Sequence, residues 1–270
     1  MKCQLYIDNE LFEYEVEGEF AYGNDEVLIK QDKNAIDHVD WSDVGHTTLD
    51  ILNTTQFNAL KDNLVVILNR IMAKYDIPDI DILEDYHKVA NTQERHLQVI
   101  NETRSLTRKD FDVDLNAVCE LISQHLGKAV AIENPKLDTE VITLRISRPN
   151  SFDINPLHRD AYLDYYKDTI NLWIPIAGCN KKSSLPIIPK SHLWNEADVL
   201  RTAAKGATLK GLKYHVPGIV KGPDNELHAI RPNPKYGESI IFSPYLIHGS
   251  AVNLNEDITR MALELRPCLK

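Results

Sequence analysis

The chain lacks paired cysteines, a long apolar run and any basic excess, and each absence removes a class of function. Its four cysteines, Cys3, Cys119, Cys179 and Cys268, are scattered singly. That spacing suits neither a zinc site nor a disulfide framework and reads as reduced thiols in a cytoplasmic protein. No apolar stretch approaches the roughly 20 residues that span a bilayer. Met1-Lys2-Cys3-Gln4 has a charge but no apolar segment behind it, so neither a membrane association nor a secretory signal is expected. With a formal net charge of −10, no nucleic-acid partner is expected either. Internal repeats and low-complexity linkers are missing as well.

The remainder is ordinary globular material: 270 residues, 43% hydrophobic and 26% charged, enough for one large core or two modest ones. The charge is unevenly placed. Residues 1–50 carry the whole excess, with Asp8, Glu10, Glu13, Glu15, Glu17, Glu19, Asp25, Glu26, Asp32, Asp37, Asp40, Asp43 and Asp50 set against Lys2, Lys30 and Lys33, while residues 51–270 balance. This acidic segment is either a solvated outer face or a docking surface for a basic protein partner.

Periodicity divides the chain. Gln4–Ile7 and Leu11–Val16 alternate like a strand pair about a turn at Asp8-Asn9-Glu10. Asn53 offers an N-cap to a helical stripe of Phe57, Leu60, Leu64, Ile67, Leu68, Ile71 and Met72. Helices are expected from about 80 to 104 and from Asp114 to Leu126, the latter ended by Gly127. Strands are expected at 141–147, 169–177, 185–188, 238–247 and 258–266. The expected organisation is an acidic β element at 1–50 ahead of a catalytic domain at 51–270, with a core at about 140–267 and a lid-like insert at about 190–236.

The chemistry gathers in His158-Arg159-Asp160, His248 and Arg260. Two imidazoles and a carboxylate can take one face of a six-coordinate metal and leave the other face for a co-substrate and oxygen, an arrangement suited to Fe(II). On an extended segment, His158 and Asp160 at i and i+2 point the same way. If 238–248 and 258–266 form a hairpin turning near residue 255, Arg260 lies one diagonal step from His248. A guanidinium there suits the far carboxylate of a dicarboxylate whose other end chelates the metal. 2-Oxoglutarate fits that demand. Ser250 shares His248's side of an extended chain and is placed to donate to the same carboxylate. Asn171 and Trp173 alternate on one face of the strand after the HxD. Arg260 paired with Glu264 or Asp257 in a structural bridge is the competing reading, and Arg266 suits such a bridge better.

Flanking sequence adds a resemblance. Ile170-Asn171-Leu172-Trp173-Ile174-Pro175-Ile176, the segment Ser184 to His192, Gly237-Glu238-Ser239-Ile240-Ile241-Phe242 and His248-Gly249-Ser250-Ala251-Val252-Asn253 resemble, in order, blocks of the phytanoyl-CoA dioxygenase-like family, as does Thr259 to Arg266. Lys190 departs from the glycine usual before Ser-His. The resemblance covers about residues 140–267. It implies an α+β fold with a double-stranded β-helix (jelly-roll, cupin-like) core, packed helices and here a small N-terminal β element. It further implies His158, Asp160 and His248 as metal ligands, Trp173 on the co-substrate pocket, and an Fe(II)- and 2-oxoglutarate-dependent oxygenase. Such an enzyme uses O2, hydroxylates an unactivated C–H and releases succinate and CO2. Related halogenases lack the carboxylate, so Asp160 favours hydroxylation; desaturation, cyclisation and epimerisation share the triad.

Substrate contacts are sought near the metal. Tyr162 and Tyr165 follow the HxD, His192 closes the family-like loop, and His215 sits in the insert. The insert also brings Arg201, Lys205, Lys210, Lys213, Lys221, His228 and Arg231, with Gly206, Gly211, Gly218 and Gly222 as the hinges a lid would use. That content favours a small polar metabolite, a sugar or a natural-product intermediate over an acyl chain. Two alternatives stand beside the oxygenase: a non-catalytic cupin-like metal- or ligand-binding barrel, and an oxygen-independent metal-dependent isomerase on the same barrel.

Overall fold

The computed structural model describes residues 1–24, 34–137, 139–203 and 206–270. Asp25, Glu26, Lys30, Asp32 and Lys33 of the acidic segment, and Lys205 of the insert, lie outside the described residues. The strands that position the site are β1 (Lys2–Ile7), β2 (Glu10–Glu15), β3 (Phe20–Tyr22), β4 (His46–Asp50), β5 (Ile142–Ser147), β6 (Asn171–Ala177), β7 (Leu200–Thr202), β8 (Ala207–Leu209), β9 (Leu212–Tyr214), β10 (Ile219–Lys221), β11 (His228–Ala229), β12 (Glu238–Phe242) and β13 (Arg260–Leu265). The helices are α1 (Thr54–Met72), α2 (Tyr86–Val89), α3 (Gln93–Thr103) and α4 (Leu115–Leu126). Among the described residues, no helix is long and apolar enough to cross a membrane.

Five strands form the main sheet in the order β4-β12-β6-β13-β5, every neighbour antiparallel. Alternation along them sorts side chains to two faces. Leu172, Ile174, Ile176, Met261, Leu263 and Leu265 join the helical core, where α1 and α4 bury their stripes. Trp173, Ile240, Phe242 and Ala262 turn to the opposite, inner face. The caps behave as the side chains dictate. Asn53 Oδ1 accepts from Gln56 N at 3.0 Å while Gln56 Oε1 accepts from Asn53 N at 2.9 Å, a capping box. Gly127 ends α4 with φ 63°.

A second layer faces the inner side, and it is built from short pairings. His158 and His248 exchange both backbone hydrogen bonds, at 3.0 and 3.1 Å, Ile187 bridges His248 and Ile230, and Ile219 N donates to Leu157 O at 2.8 Å. The result is a double-stranded β-helix core with helices packed on the main sheet, an α+β arrangement.

Four expectations change. First, 238–248 and 258–266 are not a hairpin: β12 and β13 are separated by β6. Pro244 lies in a turn that ends β12 at Phe242 and sends the chain across to the second layer, where His248 pairs. Second, the helix expected over 80–104 breaks at Ala90, because Arg148 Nη1 takes the Ala90 and Thr92 carbonyls at 3.2 and 2.9 Å and Thr92 caps a new start. Third, 185–188 contributes single bridges at Ile187 in place of a strand.

Fourth, residues 1–50 are not set apart from the rest of the chain. β1 pairs with β11, β3 with β7 and β4 with β12. Cys3, Leu5, Ile7 and Val16 share one buried cluster with Ile188, Ile219, Leu227, Ala229 and Ile247. The insert is therefore mostly a partner of the N-terminal strands, and among its described residues Leu212, Lys213 and Tyr214 of the hairpin β8–β9 line the inner cavity. Gly218 serves packing here, not hinge motion, since a Cβ on it would lie 2.9 Å from Ala207 Cβ.

Leu5 is fully buried in that shared cluster. Leu5→Ala should destabilise the whole protein by about 2–5 kcal/mol, seen as a lower urea midpoint of one cooperative transition. A separate early transition, with the main step unmoved, would contradict the interweaving.

Candidate metal centre and inner cavity

The second layer brings His158 and His248 side by side, their ring centroids 4.4 Å apart. Gly249 permits this approach: it has φ 122°, and a Cβ there would lie 2.4 Å from Pro156 O. Each imidazole is anchored from behind, His158 Nδ1 on Pro156 O at 2.8 Å and His248 Nδ1 on Leu246 O at 2.9 Å. A carbonyl only accepts, so each Nδ1 carries the proton and each Nε2 turns a lone pair inward. Asp160 meets them there, Oδ1 at 3.4 Å from His158 Nε2 and Oδ2 at 3.7 Å from His248 Nε2. The three donor atoms lie within 4.8 Å of one another and all three residues are buried. Arg159, between the ligands in sequence, is extended and points away, 3.9 Å from Glu196.

The charges are fixed by their surroundings. Burial alone would raise the Asp160 carboxyl, but the Arg266 guanidinium beside it outweighs burial and holds it well below the usual carboxylate range. Arg266 Nε and Asn171 Nδ2 each donate to Asp160 Oδ2 at 2.8 Å. Burial, then the neighbouring His158, pushes His248 down to about 4. Two inward-facing imidazole lone pairs and an ionised carboxylate thus converge, the donor set a divalent cation of borderline softness takes.

A cavity of about 310 Å³ opens from the triad, with His158, His248, Trp173 and Arg260 at its inner end. Arg260 reaches it from the main sheet, not along a hairpin. Its Nη2 donates to Ala251 O at 2.9 Å, and its buried Nε has no partner. The acids expected as its bridge partners are engaged elsewhere: Glu264 by Arg145 at 2.8 Å and Arg266 at 3.3 Å, Asp257 by His87 at 2.7 Å. No carboxylate among the described residues pairs with Arg260. Trp173 Nε1 is likewise buried without a partner.

The other candidates fall differently. Ser250 lines the cavity, but φ 51° takes it off an extended path, and its hydroxyl donates to Tyr14 Oη at 2.8 Å. Asn171 holds Asp160 and is off the cavity wall. Tyr162 donates to Glu196 at 2.8 Å under the Arg201 guanidinium, and Tyr165 packs edge-on against Tyr166. His192 Nε2 donates to Ser42 O at 2.8 Å, and His215 is exposed. None of these four lines the cavity. His96, Thr143, Arg145, Tyr214 and Lys213 do. The alternation of Arg260, Glu264 and Arg266 along one strand face carried a readable signal for the charged wall, whereas the contribution of α3 carried none.

In comparison with known proteins, the chain matches the phytanoyl-CoA dioxygenase (PhyH) family over residues 19–262 and belongs to that family. A comparison with curated proteins finds no match. Among solved structures, it is similar to AviO1 from Streptomyces viridochromogenes Tue57, at 15% identity and TM-score 0.44 over 83% of this chain and 90% of that one. EctD from S. alaskensis, solved with 2-oxoglutarate and 5-hydroxyectoine, is 12% identical at TM-score 0.46 over 94% and 86%. The 2-oxoglutarate-dependent (alpha ketoglutarate) carbocyclase SnoK from nogalamycin biosynthesis is 12% identical at TM-score 0.43 over 87% and 86%.

His96, on the cavity wall, is pushed down to about 4 by burial, against the pull of Asp153. Below about pH 6.5 the unfolded chain takes a proton there that the folded one refuses, so this site subtracts stability as pH falls from about 6.5 towards 4. The stability of wild type relative to His96→Gln should decline with pH through that window in chemical denaturation. Parallel curves would contradict a buried neutral His96.

Proposed function

We propose that this member of the phytanoyl-CoA dioxygenase family is an Fe(II)- and 2-oxoglutarate-dependent oxygenase that hydroxylates an unactivated C–H of a small polar metabolite. The observation that carries the reading is Arg260: a buried guanidinium with no acid partner, opening onto the same cavity as two inward-facing Nε2 lone pairs. An isolated buried charge is costly, which makes Arg260, met by the Ala251 carbonyl and by no acid among the described residues, a costly arginine to keep. One awaiting the far carboxylate of a dicarboxylate would look as this one does.

His158, Asp160 and His248 would hold the iron through Nε2, a carboxylate oxygen and Nε2, and Arg260 would take the carboxylate of 2-oxoglutarate distant from the metal. Iron with 2-oxoglutarate and O2 supplies the oxidation, with succinate and CO2 released. The chain's own contributions are positional. Pro156 O and Leu246 O fix the imidazole tautomers, Arg266 and Asn171 fix the Asp160 carboxylate, and Trp173 and Ala251 wall the inner end. Ser250 lines the cavity with its hydroxyl held by Tyr14, a polar edge for whichever ligand lies there. The non-catalytic barrel would need the triad but gives no reason for an unpaired Arg260.

Arg260→Ala should raise the 2-oxoglutarate requirement by about two or more decades, since losing one side of a buried charged pair costs roughly 3–5 kcal/mol. Iron affinity should hold, and the melting temperature of the metal-free protein should not fall, because an uncompensated charge has been removed. Arg260→Lys should restore part of the affinity. A lowered melting temperature with an unchanged 2-oxoglutarate titration would make Arg260 a structural residue.

A further inference from the structure

The cavity runs outward from the triad, past Thr143, Arg145, Phe152 and Tyr214, to a rim formed by Arg104, Leu212 and Lys213. All three rim residues are exposed. The acids along the wall can be matched one by one. Asp153 accepts from Arg148 Nε at 2.9 Å and Nη2 at 3.1 Å. Glu264 accepts from Arg145 and Arg266. The remaining nitrogens of Arg145 lie 3.1 and 3.3 Å from the Asn155 side-chain oxygen, in the amide orientation that satisfies both groups. No acid on the wall is left over for the rim. Arg104 and Lys213 are left as cations whose side chains make no ion pair or hydrogen bond among the described residues.

Solvated surface cations would look similar one at a time, but Lys213 is held at the rim from both sides. On the same hairpin, the Lys210 ammonium sits 3.9 Å from the centroid of Phe152, a wall residue. The next residue after Lys213, Tyr214, donates its hydroxyl to Ile154 O at 2.7 Å. The hairpin is thereby seated against the wall with Lys213 between its two anchors. Arg104 caps the C-terminus of α3 and lines the same cavity. Two cations at the mouth of a concave, low-dielectric cavity raise its potential for anions and orient an entering one.

We infer that the substrate of this site carries an anionic group, a carboxylate or a phosphate, which Arg104 and Lys213 bind at the rim while the reacting carbon lies at the triad end. This rests on the oxygenase reading, because it assumes Arg260 is already taken by 2-oxoglutarate.

The test uses the full-length protein loaded with Mn(II) and saturating 2-oxoglutarate, loading being read by loss of the free Mn(II) EPR signal. Inorganic phosphate and acetate are the probes, followed by Mn(II)-enhanced relaxation of the 31P nucleus and of the methyl protons, with acetamide as the neutral control. We expect saturable enhancement for an anion and none for acetamide, with affinity about tenfold or more weaker in Arg104→Gln/Lys213→Gln. Enhancement for phosphate alone assigns a phosphate, for acetate alone a carboxylate, and for both the shared anionic class. Equal affinity in the double variant, or no enhancement in the loaded wild type, overturns the inference while leaving the oxygenase reading intact. Failure of Mn(II) to load sinks the oxygenase reading instead. The rim is then judged by whether phosphate raises the melting temperature of wild type and not of the double variant, and an equal response in both overturns it.

Discussion

Two imidazole lone pairs and an ionised carboxylate are pressed together in a buried space, and that crowding is the constraint on which the rest of the structure depends. Without a cation between them the three groups repel, since neither Nε2 has a proton to offer Asp160. The fold enforces the crowding through backbone: His158 and His248 exchange both their peptide hydrogen bonds, and Gly249 lets the two chains close to a distance no side chain would allow. The tautomers are set by carbonyls two residues upstream of each histidine. A site in which each donor is held from behind is preorganised for a metal.

Arg266, Glu264 and Arg145 extend that arrangement along the inner face of the main sheet. Asp160 is held by Arg266, which touches Glu264, which in turn holds Arg145. Each acid in this run has a cation at hand. Arg260 begins the same strand face and stands outside the run, its Nε buried and unsatisfied. The contrast between a compensated set and one uncompensated neighbour on the same strand is what supports the reading of Arg260 as a ligand-binding residue.

Much of this was legible in the sequence because it depends on local chemistry. Asn53, Asp114 and Gly127 mark helix ends through their own side chains or backbone freedom, and the apolar stripe of α1 is read from one face of one helix. The i, i+2 spacing of His158 and Asp160 likewise needs only an extended Arg159 between them. The non-local features were not legible. A hairpin of 238–248 and 258–266 would set Arg260 near His248, and no such hairpin forms; Arg260 reaches the cavity because β6 inserts between β12 and β13, a pairing no local pattern announces. Tyr162, Tyr165, His192 and His215 looked like substrate contacts by nearness in sequence, yet their partners are Glu196, Tyr166, Ser42 and solvent. The cavity wall was drawn instead from α3 and β9, whose approach to the triad is set by tertiary packing. The N-terminal strands looked like a preface for the same reason, because their partners lie about two hundred residues downstream.

The central claim is that this cavity chelates 2-oxoglutarate on a ferrous ion held by His158, Asp160 and His248. The most direct measurement is the visible absorption spectrum of the anaerobic Fe(II)-loaded protein titrated with 2-oxoglutarate. The account predicts a weak metal-to-ligand charge-transfer band that grows to saturation in wild type and requires far more 2-oxoglutarate when Arg260 is replaced by alanine. Iron binding without any such band would contradict it and leave the protein a metal-binding barrel of another kind.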